Sequence, residues 1–264
     1  MSRIVNRGAT GELALTANGQ FQQQSQTETL YGGTATNASL TTLLGSRWDL
    51  EDGREVRLVL AGASNLAAGK VMTAPATIAN HQNLVTTAFT AYSNNGNVPA
   101  KVTVTLGGTA ATANQYQGGY AIVTSGTGLG QTLKIASHPA QATTTGSLAV
   151  TLEDAPNTAL DTTSTISLIY NPANGVIISD HTALQNPVGV TLYAITAANY
   201  GYIVSRGIVS CLVGADGSTT VGSAVSVSNT TDGSVENGVI AQGFIGNAIV
   251  AGTAGQYQPI NVIL

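Results

Sequence analysis

The stretch "YGYIVSRGIVSCLVG", residues 200–214, is the densest apolar part of the chain, and a single glycine, Gly207, divides it. Both halves are rich in β-branched and aromatic residues, which are typical of strands. Glycine tolerates the positive φ of a bulge or sharp bend. We therefore expect two strand segments, separated at Gly207, that face the same core.

The only cysteine of the chain, Cys211, lies inside this stretch. A single cysteine cannot form an intramolecular disulfide, and its apolar neighbours in "IVSCLV" are typical of a small core residue. The sequence therefore predicts a buried thiol without a catalytic role.

Short strands are expected from Arg54 onward, separated by residues that favour turns. In "KVTVTL", residues 101–106, and "SLAVTL", residues 147–152, apolar residues alternate with polar ones, the period of a strand with one wet face. The inward residues of the two segments are Val102, Val104, Leu106, Leu148, Val150 and Leu152. The fold class expected is all-β, a sandwich or barrel of short, mostly antiparallel strands with little helix.

The composition is poor in charge. Charged residues make up 8% of the 264 residues, against about 25% in an average soluble domain. A net charge of −4 with nine basic residues does not favour nucleic-acid binding, which requires a positive field. The sequence also lacks a run of about 18 apolar residues and an N-terminal h-region, so we expect no membrane partner and synthesis in a cytoplasm.

Motifs that could carry chemistry are incomplete. "GTGLG", residues 126–130, precedes a strand pattern instead of a helix, and "GASNLAAGK", residues 62–70, lacks the Ser or Thr that binds magnesium in a P-loop. No histidine has a second His or Cys at metal-ligand spacing, and three aspartates lie in turn-like contexts. These residues are His81, His138 and His181, and Asp154, Asp161 and Asp180. We therefore expect no catalytic, cofactor-binding or metal-binding residue, and not an enzyme.

Charge is concentrated near the N-terminus, above all in "RWDLEDGREVR", residues 47–57. Tryptophan and arginine are typical anchors of protein interfaces. The candidate partner-contact residues are Arg47, Trp48, Arg54 and Arg57. The alternative is a solvated turn at "EDG" followed by an ordinary strand.

The first 45 residues are rich in Gln, Thr and Gly and contain too few apolar residues for a core of their own. We expect residues 1–45 to be an extended N-terminal arm that becomes ordered on a partner. A β-rich body, residues 46–175, with an inserted β region between about 73 and 175, and a C-terminal β module, residues 176–264, would follow. Deleting the arm should leave a folded body that binds its partner more weakly.

Three segments, taken in order, resemble the layout of tailed-bacteriophage head decoration proteins, also called capsid cement proteins. They are "YGYIVSRG" (200–207), "GSAVSVSNTTDG" (222–233) and "IGNAIVAGTAGQYQPINVIL" (245–264). The resemblance covers about the last 75 residues, and residues 53–72 more loosely. It implies a compact β module, often a homotrimer, that sits on the outer shell and clamps the major capsid protein with an extended arm. The family has no catalytic residues to carry over.

The function expected is therefore that of a non-enzymatic virion structural protein, made in the host cytoplasm, on the capsid exterior. Its partners would be the phage major capsid protein and two further copies of itself, without a cofactor. A tail-tube or fibre subunit would have a similar composition and stays an alternative. A carbohydrate-binding or glycan-cleaving module would need paired carboxylates and exposed aromatic residues in a groove.

Overall fold

The computed structural model describes residues 4–5, 43–50, 52–182, 186–215, 217–238 and 243–264. The chain divides into two compact units: unit 1 comprises Met1–Pro75 and Pro172–Leu264, and unit 2 comprises Ala76–Asn171. Unit 2 falls within the stretch of about 73–175 for which the sequence predicts an inserted β region.

The described strands follow one another along the chain. They are β1 Ile4–Val5, β2 Arg47–Leu50, β3 Glu55–Ala61, β4 Val71–Thr73, β5 Leu84–Thr90, β6 Lys101–Thr105, β7 Tyr120–Ser125, β8 Thr132–Ser137, β9 Ser147–Leu152, β10 Thr165–Ile169, β11 Asn174–Ile178, β12 Pro187–Thr191, β13 Tyr200–Leu212, β14 Ala224–Val227, β15 Val235–Asn237, β16 Phe244–Ala248 and β17 Tyr257–Ile263. A 3-10 turn, Ala79–His81, precedes β5.

Unit 1 is built on one long sheet in the order β1-β2-β3-β11-β4-β12-β13-β17-β16-β14-β15. Strand β3 also pairs with β13, which closes β3, β11, β4, β12 and β13 into a ring. The pairing of β11 with β3 is parallel, and the other strand pairs of the sheet are antiparallel.

Strand β13 is the centre of unit 1 because it borders both of its cores. Tyr202 and Val204 belong to one core, with Trp48 and Val262. Ile203, on the opposite face, belongs to a second core inside the ring. The first half of β13 is therefore buried on both faces, which explains its nearly continuous apolar sequence.

The structure corrects the expectation of two separate strand segments in this stretch. Tyr200–Leu212 is one continuous strand of 13 residues. Its register with β3 shifts between Val204 and Arg206, which leaves Ser205 as an extra residue. Beyond this bulge, Val209 and Cys211 face the same core as Val204, so the expectation of a shared core is confirmed.

Unit 2 is a closed barrel of six strands in the order β10-β5-β6-β9-β8-β7. The alternation predicted in β6 and β9 is confirmed, since Val102, Val104, Leu148 and Val150 are fully buried in the barrel core. Every neighbouring pair of the barrel is antiparallel.

The all-β fold class with mostly antiparallel strands is therefore confirmed. The expected arm lies outside the described residues except for Ile4–Val5, which pair with β2, and residues 43–45. Leu44 packs against both cores of unit 1, and the Gly45 N–H donates to the Leu58 carbonyl at 2.9 Å. No helix in the described part of the chain has the length and apolarity needed to cross a membrane.

Candidate interaction surface

The second half of β13 and strand β17 present a face on which several large apolar side chains are exposed among the described residues. We call it the outer face and define it by Arg206, Ile208 and Ser210 on β13 and Tyr257, Pro259 and Ile263 on β17. The register places Arg206 opposite Ile263 and Ser210 opposite Pro259. Ile208 is 58% exposed, Tyr257 52% and Ile263 48%. Large apolar side chains that stay exposed on a rigid sheet are typical of a binding surface.

An open groove of about 340 Å³ crosses the outer face and is lined by Arg54, Thr191, Ile208 and Tyr257, among others. Its floor includes Gly69, which has φ +65°. A Cβ atom at Gly69 would lie 2.6 Å from a ring carbon of Tyr257, closer than carbon atoms can pack. Glycine at this position therefore lets the tyrosine ring lie against the backbone, which fixes one wall of the groove.

Gly207 leaves room for Arg54 in the same way. Its φ is +101°, and a Cβ atom there would lie 2.9 Å from the Arg54 Cγ and 3.0 Å from its Cα. The glycine predicted to shape a bend therefore also makes room for an arginine at the groove. The Arg54 guanidinium is held by Asp52, with Nη2 and Nε 2.6 and 2.8 Å from Oδ2.

The other predicted contact residues lie elsewhere on β2 and β3. Trp48 is 3% exposed, and its ring packs edge-on against Tyr202 at a centroid distance of 5.3 Å. The indole therefore stabilises the core and offers a partner little surface in the single chain. Arg47 faces Arg57 across the strand pair, on the side opposite to Trp48, and its Nη1 lies 3.2 Å from Glu55.

Arg57 is the more constrained of these two arginines. Burial lowers the pKa of its guanidinium, and the neighbouring charge of Arg47 lowers it further, whereas Glu55 raises it. Its Nε is buried without a hydrogen-bond partner among the described residues. The structure thus brings Arg47 and Arg57 together and places Arg54 apart from them in the groove. The contact role of all four residues stays a prediction.

Cys211 is confirmed as a core residue, since it is completely buried. Burial raises the pKa of the thiol to about 12, and the nearby charge of Lys70 only partly opposes this effect. A thiol with such a pKa is protonated at neutral pH and is a poor nucleophile.

The spacing of the histidines along the chain does not show which polar groups they contact. In unit 2, His81 and His138 both contact the side chain or backbone of Tyr116. The turn roles expected for two aspartates are confirmed, because the Thr163 N–H donates to Asp161 at 2.8 Å and the Thr182 N–H donates to Asp180 at 2.7 Å. These bonds, with those from the threonine hydroxyls, lower the pKa of both carboxyls.

In unit 1, Asp180, His181 and Asp232 each offer a ligand atom, and these atoms lie within 4.8 Å of one another. The His181 Nδ1 lies 2.7 Å from the Asp232 carboxylate, and this contact lowers the pKa of Asp232. The spacing would suit one divalent cation. Each of the three groups also has a hydrogen-bond partner within the chain.

The exposed residues of the outer face were also missed, although the sequence contains a signal for them. In "GIVSCLV", residues 207–213, Ile208 and Ser210 alternate with Val209 and Cys211, the period of a strand with one covered face. The high overall hydropathy of the stretch concealed this alternation. Tyr257 has no such signal, because its exposure follows from the pairing of β17 with β13.

Comparison with known proteins identifies no relative of the chain. No family model matches the chain, and neither a curated protein nor a solved structure matches it significantly.

Proposed function

We propose that the protein is a non-enzymatic structural component of a tailed-phage virion that binds the outer surface of the capsid and stabilises the shell. The observation that supports this proposal best is the outer face, where Ile208, Tyr257 and Ile263 stay exposed on paired strands. Tyrosine and arginine are the residues that most often dominate binding energy at interfaces. Tyr257 and Arg54 border the same groove.

The low charge of the chain is consistent with a partner contact that depends on the buried surface area. With charged residues at 8% of the chain, contacts would depend on apolar burial and neutral hydrogen bonds, which salt screens weakly. The groove is also partly pre-organised, because Gly69 lets the Tyr257 ring lie against the backbone and Asp52 holds the Arg54 guanidinium. A rigid binding face loses little conformational entropy on association.

The proposal that the protein binds a capsid rests on the sequence resemblance to decoration proteins. A ligand that binds only the assembled lattice stabilises it in proportion to the logarithm of its free concentration over Kd. If the protein is a homotrimer, as the resemblance implies, attachment at three points raises the apparent affinity well above that of one site. The major capsid protein is the proposed partner.

Co-sedimentation with capsids tests the proposal. Purified protein is mixed with mature capsids of the same phage that lack it, and bound protein is measured after centrifugation. We expect saturable binding for the parent protein and binding at least tenfold weaker for Ile208→Asp, because a partner cannot bury an unpaired carboxylate on the outer face without a large cost.

Val85→Asp is the matched control, since Val85 is also a large exposed apolar residue, at 53%, on β5 of unit 2. It should bind like the parent protein. Equal binding by Ile208→Asp would overturn the role of the outer face. Antibody-gold labelling of intact virions tests whether the protein lies on the capsid. Label confined to the tail would favour the tail-tube or fibre alternative.

A further inference from the structure

One end of the barrel in unit 2 is closed by a cluster of polar aromatic side chains. Because every neighbouring pair of strands is antiparallel, the starts of β5, β7 and β9 and the ends of β6, β8 and β10 lie at the same end. Four residues of the adjoining segments meet there: His81, Tyr116, His138 and Tyr170. We call this the histidine end of the barrel.

Tyr116 is the centre of the histidine end and is completely buried. Its hydroxyl bonds to the Nδ1 of His81, and the Nε2 of His81 lies 2.8 Å from the Thr109 carbonyl. A carbonyl only accepts, so Nε2 carries the proton of this ring and Nδ1 accepts from Tyr116. The Tyr116 ring also packs against Tyr170 at a centroid distance of 4.8 Å, and the Tyr170 hydroxyl accepts from Gln115 at 2.8 Å.

His138 has the opposite tautomer. The backbone N–H of Tyr116 donates to its Nε2 at 3.0 Å, and its Nδ1 lies 2.9 Å from the Pro139 carbonyl. Nδ1 therefore carries the proton and Nε2 must stay unprotonated to accept. Asn114 adds two bonds of 3.0 Å to the backbone of His138. His138 thus fastens residues 114–116, in the connection between β6 and β7, to the end of β8.

We propose that His138 is an acid-sensitive latch of unit 2, whose protonation at Nε2 replaces the acceptor of the Tyr116 N–H by a second donor and releases the connection between β6 and β7. Two N–H groups that point at each other cannot share a hydrogen bond, so the segment must move away or the ring must turn out. The six barrel strands keep their own ladders, so the change is confined to the histidine end.

Within the described part of unit 2, no acidic side chain faces His138 to compensate an added proton. The ionisable groups there that contact it or face it across the cluster are Tyr116, Tyr170 and the second histidine, His81. The three acidic residues of unit 2, Glu153, Asp154 and Asp161, follow β9 and precede β10, and therefore lie at the opposite end of the barrel. Its two lysines, Lys101 and Lys134, lie on strands, and Lys134 pairs with Glu153 at 3.1 Å.

The pH window follows from the direction of the shift. Burial lowers the pKa of His138 below its ordinary value of 6.5; the bond to the Pro139 carbonyl opposes this effect, and a proton gained by His81 would add to it. The released state therefore binds a proton more readily than the latched state. The latch is at full strength above pH 6.5 and weakens as the pH falls below it, by up to about tenfold in the ratio of latched to released forms for each pH unit.

Hydrogen exchange of the full chain, followed by mass spectrometry at pH 7.5 and 5.0 and corrected for the intrinsic rates, tests the latch. We expect the protection of peptides that cover residues 112–119 to fall at least several-fold at pH 5.0, while peptides of β9 keep theirs. His138→Gln should abolish the pH dependence, because a glutamine carbonyl can accept from Tyr116 and does not titrate. His181→Gln, a change in an exposed histidine of unit 1, is the matched control and should behave like the parent protein.

Unchanged protection of residues 112–119 at pH 5.0 would overturn the proposal, and so would a loss that persists in His138→Gln, since the proton would then act elsewhere. If His138→Gln does not fold, nuclear magnetic resonance of the parent protein decides. The His138 ring and the Tyr116 amide should then titrate with one midpoint below pH 6.5. A His138 ring that titrates without any change at the Tyr116 amide would refute the latch.

Discussion

At the scale of single residues, Cys211 shows how far sequence context predicts an environment. Its apolar neighbours indicated a core position, and the structure confirms complete burial. Exposed and buried residues alternate around it, however, so that Ile208, three residues earlier, is 58% exposed. Hydropathy alone cannot separate these two residues, because what covers each face depends on strands that are distant in sequence.

Cys211→Ser should lower the free energy of unfolding, because the core offers the new hydroxyl no solvent and the serine must bury a polar group. The expected loss is about 1–3 kcal/mol beyond that of Cys211→Ala, measured by denaturant unfolding. The alanine variant has nearly the size of serine and isolates the effect of the hydroxyl. Rapid labelling of the native thiol would contradict the buried assignment, as would equal stability of the two variants.

Gly207 combines two constraints that can be separated experimentally. Gly207→Ala should cost about 1–3 kcal/mol of stability for the positive φ, and more for the clash of its Cβ with Arg54. Gly222→Ala is the control, since Gly222 has φ +77° but no atom within 4 Å of a Cβ. Denaturant unfolding of both variants gives the difference. Equal losses would show that the approach of Arg54 does not require glycine.

At the scale of elements, strands with one wet face were predicted well and strand β13 was not. The alternation in β6 and β9 fixes which side chains point inward, whatever the partner strands are. In β13 the bulge at Ser205 changes which residues face the core, from Tyr202 and Val204 to Val209 and Cys211. A bulge depends on the register with β3, about 150 residues away in sequence, so no local pattern specifies it.

At the scale of the whole molecule, the sequence indicated a β sandwich or barrel but not which strands pair to close it. The ring in unit 1 depends on the parallel pairing of β11 with β3 and on the pairing of β3 with β13. The outer face and the histidine end follow from such long-range pairings. His81, Tyr116 and His138 come from three segments that adjoin different strands of the barrel, which explains why their spacing in sequence gave no motif.

Deletions can locate the residue at which the core of unit 1 begins along the chain. Only two residue pairs join β1 to β2, whereas Leu44 packs against both cores of unit 1. Deletion of residues 1–42 should therefore change the Tm little, because the core contacts among the described residues of unit 1 remain. Deletion of residues 1–45 should lower stability further by about 1 kcal/mol, less than the value of one fully buried leucine, because Leu44 is only partly buried.

Circular dichroism of the two deletion variants during heating measures this difference, and Leu44→Ala in the full chain should reproduce most of it. Both deletions should also weaken co-sedimentation with capsids if residues 1–42 contact the shell, while Leu44→Ala should retain binding. Unfolding of the shorter deletion would show that residues 1–42 belong to the core of unit 1. The partner would then have to be held by the outer face, where Ile208 and Tyr257 are already exposed.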